Sequence, residues 1–307
     1  MTTRFTRSLI ALAALVLAAP VAAHAAGAAG GDKEVQRMNS FSGSCSKCEL
    51  SGRKLAGAHF IGANFAGASM VGSDLREAHF VASNFASADL SRADLSDSEI
   101  VGANFTGANL AYARLRSTAA RAVTFSNADL HRADFGDAEA SGSVFKGADL
   151  HDATFRSAEL RAANFAHADA HGADFKDAEL VAAVLSGGDF HGASFRSADL
   201  SHAVLVGGSF DGADFKDADL GGAIITGLDL SRARGLNQDQ IDEACSDSRT
   251  KLPNGLISRG CGVRMIRYPG TPHIDVHMRP APPPPPAVPA TPAPPAPPAP
   301  RYLIAQP

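Results

Sequence analysis

Residues 175–194 read FKDAELVAAVLSGGDFHGAS, residues 195–214 read FRSADLSHAVLVGGSFDGAD and residues 215–234 read FKDADLGGAIITGLDLSRAR. Two periods are superposed here: a large apolar residue falls on every fifth position, and the whole pattern returns after 20 residues. The five-residue register runs from Leu50 to Leu230 without a slip, over 37 centres of which only Ala120, Ala140 and Ala170 are small. It also holds 15 of the 17 phenylalanines, and the residue two before each centre is usually alanine. A period of five fits neither the helix nor the strand, so the chain must turn at regular intervals and return each centre to one axis. That is the mark of a solenoid, and four units per turn make its cross-section four-sided.

The units Ala88-Asp89-Leu90-Ser91-Arg92 and Ala128-Asp129-Leu130-His131-Arg132 resemble the A(D/N)LXX repeat of the pentapeptide-repeat family, over about 60% of the chain. The resemblance implies an all-β fold, a right-handed quadrilateral β-helix. In it the centre and the residue two before it point inward, and the other three positions of each unit face water. With coils roughly 4.8 Å apart, about nine of them make a rod of about 45 Å. Residues 20 apart then stack, giving one aromatic column of Phe65, Phe85, Phe105, Phe125, Phe145 and Phe165 and another of Phe135, Phe155, Phe175, Phe195 and Phe215. Both are read as core, each ring contributing roughly 1.5–3 kcal/mol.

The expected organisation is a signal peptide over 1–25, a linker over 26–44, the β-helix over 45–234, a C-terminal cap over 235–278 and a disordered Pro-rich tail over 279–307. Arg4 and Arg7 precede an apolar run from Leu9 to Ala19 that ends in Ala23-His24-Ala25, an A-x-A cleavage pattern. The expected location is therefore secreted or periplasmic, with no transmembrane segment in the mature chain. Cleavage would leave 26 Lys and Arg against 32 Asp and Glu, a charge of about −6 that argues against general nucleic-acid binding. Pro280 to Pro300 is almost entirely Pro and Ala, which favours polyproline II and suits a spacer.

The four cysteines fit an oxidising compartment. Cys45 and Cys48 lie on the inward register of the first coil, where a capping disulfide, a metal-ligand pair and a redox pair are the three readings. Cys245 and Cys261 bracket a 15-residue loop whose closure would stabilise a cap by roughly 3 kcal/mol. Between them and the rod, Asn237 is a good N-cap with Gln240 at N3, and Leu236 and Ile241 stand at the positions of a hydrophobic staple. A short helix here would cover the open end of the solenoid.

On the outside, His131, His151, His171 and His191 form a column, with Asp129, Asp149, Asp169 and Asp189 each two residues earlier. Such a strip is a candidate for Zn²⁺, Cu²⁺ or Ni²⁺, although nothing in the spacing closes a coordination sphere. Arg76, Arg116, Arg156, Lys176, Arg196 and Lys216 form a basic column. Its expected compensation comes from Asp177 and Asp217 and from the acidic column Glu139, Glu159, Glu179, Asp199 and Asp219. No catalytic motif emerges and no cofactor is implied, so the expected function is a non-catalytic scaffold for a protein or envelope partner. A metal- or anion-binding strip is the alternative. Relatives that shield DNA gyrase by mimicking DNA suggest a third reading, which the export signal opposes.

Overall fold

The computed structural model describes residues 43–261, which belong to one compact unit. The signal peptide, nearly all of the linker, residues 262–278 of the expected cap and the Pro-rich tail lie outside the described residues. The described chain is a right-handed quadrilateral β-helix. Each side is only one unit long, so consecutive coils meet at single parallel bridges, from Ser44 with Asn64 to Asp214 with Arg234, always 20 residues apart. Three inter-coil hydrogen bonds repeat per unit: Phe85 N–H donates to Asn104 O, Ser87 N–H to Thr106 O, and Asp89 N–H to Ala68 O. A fourth closes the corner, as Ala88 N–H donates to Phe85 O. The second residue after the centre takes a positive φ, and 21 non-glycine residues accept this conformation. Ordinarily it is disfavoured for side chains, but here the corner bond and the bond to the next coil hold it in place.

The bore is filled as the register requires. Phe145 is fully buried, stacked on Phe125 at 5.1 Å and on Phe165 at 4.7 Å, and edge-on to Phe135 and Phe155 at 5.7 and 5.5 Å. The two ladders thus interlock in the offset geometry aromatic rings prefer. Where the rings move to another side, as Phe190 and Phe210, the inward neighbours become Gly188 and Gly208. A Cβ there would stand 2.7 and 2.8 Å from the respective rings. Around the small centres Ala120 and Ala140 the space is taken up by buried Thr118, Val123 and Ser143. The Ser143 hydroxyl donates to Ala120 O and accepts from Val123 N–H, so this buried polar group is satisfied.

The C-terminal end is closed by α1, Gln238–Glu243, with the Asn237–Gln240 capping box in place and Ile241 buried. Gln240 has a second task, since its Nε2 donates to Phe215 O and Ala218 O at 2.9 and 2.8 Å. It thereby satisfies two carbonyls the last full coil would otherwise leave open. Stacking does not stop at residue 234, because Ile224 pairs with Cys245 and Asp229 with Lys251. The spacings of 21 and 22 residues absorb the helix, so part of the cap is a further, irregular coil. Asp247 locks it: hydrogen bonding from Gly227 N–H first, and from Arg249 and Thr250 after it, holds its carboxyl well below the usual range. Disulfides join Cys45 to Cys48 across the first corner and Cys245 to Cys261 in the cap.

Candidate functional site

The residue just before each centre is the one whose environment departs most from a simple inside–outside alternation. Most of these positions are half-buried, although Asp149, Asp169 and Asp189 are exposed, and their Asp or Asn side chains turn back to accept the backbone N–H two residues on. Asn64 accepts from Ala66, Asp89 from Ser91, Asn104 from Thr106 and Asp199 from Ser201. The Asp or Asn of the repeat therefore orders the corner, as Asx turns do generally.

This changes the reading of the Asp and His columns. Asp129, Asp149, Asp169 and Asp189 each accept the backbone N–H of the histidine two residues later, at 3.2, 3.1, 3.3 and 3.0 Å. They serve the corners before they serve any ligand. The four histidines do not form one ladder either. His151, His171 and His191 stack nearly parallel at 5.0 and 4.9 Å. His131 leaves that row, its Nδ1 2.6 Å from Asp129 Oδ1 and its ring edge-on to Tyr112 at 4.9 Å. Tyr112, which stands one coil below and one residue along, draws it away. No sequence period signals that.

Apart from Lys216, which makes no salt bridge with Asp217 or any other residue described, the basic column is neutralised by Asp residues and not by the Glu column. Arg76 pairs with Asp74, Arg116 with Asp134 and Asp137, Arg156 with Asp174, and Arg196 with Asp214. Lys176 pairs with Asp177 as the sequence suggested. Two members of the Glu column turn the other way, Glu139 to Arg121 and Glu179 to Arg161. Arg76 uses the aspartate two residues before it, whereas Arg116, Arg156 and Arg196 reach the aspartate at the same corner position of the next coil, 18 residues later.

Laying the coils over one another exposes a feature the column-by-column reading missed. Residues 61–67, and the six that follow each of 81, 101, 121, 141, 161, 181, 201 and 221 together with those starting residues, contain no Asp or Glu. One side of the prism and its adjoining edge are thus free of carboxylates along the rod. The charges there are basic: Arg121, Lys146 and Arg161. Its outer rungs run from an amide ladder, Asn104 Nδ2 to Asn84 Oδ1 and Asn84 Nδ2 to Asn64 Oδ1, to Val184, Val204 and Ile224. Val206 and Ile224 are 39% and 36% exposed. Writing the sequence in rows of 20 would have shown it.

Pentapeptide-repeat models match residues 44–81, 88–127, 124–161, 158–196 and 190–234. No curated protein sequence matches the chain. Among solved structures, HetL, a pentapeptide repeat protein involved in heterocyst differentiation regulation from the cyanobacterium Nostoc sp. strain PCC 7120, is 24% identical. The match covers 69% of this chain and 94% of HetL with a TM-score of 0.61. QnrB1, a plasmid-mediated fluoroquinolone resistance protein, is 18% identical over 68% of this chain and 91% of its own, with a TM-score of 0.43. A pentapeptide repeat protein from the Arabidopsis thaliana thylakoid lumen is 32% identical over 34% of this chain and 70% of its own, with a TM-score of 0.27. The repeat register, the four-sided coils and the matched residues together make this chain a member of the pentapeptide-repeat family.

Proposed function

We propose that the chain is a non-catalytic, exported scaffold whose carboxylate-free side docks a protein partner of the cell envelope, with residues 279–307 as a tether. The contrast between the sides carries this reading. Elsewhere on the rod, acids and bases are interleaved, whereas this side carries no carboxylate of its own: it offers apolar rungs at one end and Lys146 in the middle, between Arg121 and Arg161, which are held by Glu139 and Glu179 of the adjoining column. A flat partner patch, apolar at one end and acidic beside it, would complement it. In the basic column Arg76, Arg116, Arg156, Lys176 and Arg196 are paired, which leaves Lys216 alone without a salt bridge among the described residues, too few free cations for an anion-binding strip. The two disulfides suit the oxidising compartment to which an export signal would send the chain. Among the described residues no helix is long and apolar enough to cross a membrane.

Val204→Asp tests the reading with little risk to the fold, because the position before a centre accepts Asp in many other units. In native electrophoresis of envelope extract, the parent and Lys216→Asp should migrate in a larger assembly and Val204→Asp as the free chain. A parent that migrates free, or a Val204→Asp variant that stays assembled, would contradict the proposal.

A further inference from the structure

The geometry points to a single Zn²⁺ site at Asp129, His131 and Asp149, in place of a strip running the length of the histidine column. It is independent of the docking surface, which lies on another side of the rod. One ligand atom from each of the three residues falls within 4.8 Å of the others. Zinc–oxygen and zinc–nitrogen bonds are about 2.0–2.2 Å long, so two ligands of a tetrahedral ion stand about 3.4 Å apart. Zn²⁺ would take the place of the proton between His131 Nδ1 and Asp129 Oδ1, now 2.6 Å apart, releasing it to solvent; those two atoms would open and Asp149 close in by about an ångström each, with water completing the tetrahedron.

Two observations distinguish this rung from those above it. The His131 ring is oriented in advance: it packs edge-on against Tyr112, which is flanked by the Arg92 and Arg132 guanidinium groups at 5.9 and 5.7 Å and accepts a hydrogen bond from Arg132. That orientation brings Nδ1 to Asp129. His151, His171 and His191 stack on one another instead, and the carboxylates beside His151 and His191, those of Asp152 and Asp211, stand 3.6 Å away, beyond hydrogen-bonding distance. The second observation is electrostatic. Asp129 and Asp149 are successive rungs, about 4.8 Å apart along the axis, and among the described residues no Lys or Arg pairs with Asp149. A divalent cation between them would relieve that repulsion, and the mix of imidazole and carboxylate suits zinc better than calcium or magnesium.

Calorimetric titration of the purified chain with Zn²⁺ should show one ion bound at micromolar concentration. His131→Ala should weaken binding at least about 30-fold and Asp149→Asn about 10-fold. The double variant His151→Ala/His171→Ala should bind within about twofold of the parent, because it leaves all three ligands in place. Thermal unfolding of each variant without metal checks that the fold is intact. No binding by the parent, undiminished binding by His131→Ala, or equal loss in the double variant would overturn the assignment.

Discussion

Phe145→Ala is expected to cost about 3–5 kcal/mol, whereas Lys146→Ala beside it stays within about 0.5 kcal/mol. Phe145 is fully buried and touches four other rings, two stacked and two edge-on. Its neighbours are held by backbone bonds to the coils on either side, so they cannot collapse into the space left behind. Repeat proteins transmit such a defect mainly to adjacent units, and the loss should appear as exchange in the coils around residues 125–165 as well as in the denaturation midpoint. Similar losses from the two substitutions would refute the inward and outward register.

Replacing both Cys245 and Cys261 by serine should cost about 3 kcal/mol, the chain-entropy value for a loop of this length. The bond is 16 residues in span and joins the rung above Ile224 to the end of the described chain. Its loss should free the irregular coil first. Amide exchange should rise at residues 222–230, whose inter-coil partners include Glu243, Cys245 and Lys251, while residues 85–165 keep their protection. A cost below about 1 kcal/mol would mean that Gln240, Asp247 and the Asp229–Lys251 pair hold the cap by themselves, and uniform loss of protection would mean that cap and rod open as one unit.

The fold was legible because its cause is periodic. Any residue five places from Phe145 must meet the same bore, so sequence spacing alone identifies the buried set. The capping box was legible for a similar reason, being local to Asn237–Gln240. What escaped the sequence depends on side-chain direction. Gln240 reaches two carbonyls 25 and 22 residues earlier, and His131 turns toward Tyr112 because of that one neighbour. The corner role of the acidic positions escaped for a different reason. An Asp at the position before a centre has a backbone N–H two residues away, and that local partner takes one carboxylate oxygen and leaves the other free to face outward. The same rule explains why Asn and Asp interchange there.

The account stands most directly on which side of the rod meets another protein. A photo-crosslinking residue placed in living cells at positions 184, 204, 206 and 224, and at 174, 196 and 216 on the neutralised basic side, reads this in one experiment. The account predicts a covalent adduct of constant mass from the first set and none from the second. Adducts from the basic side, or equal labelling all round, would contradict it.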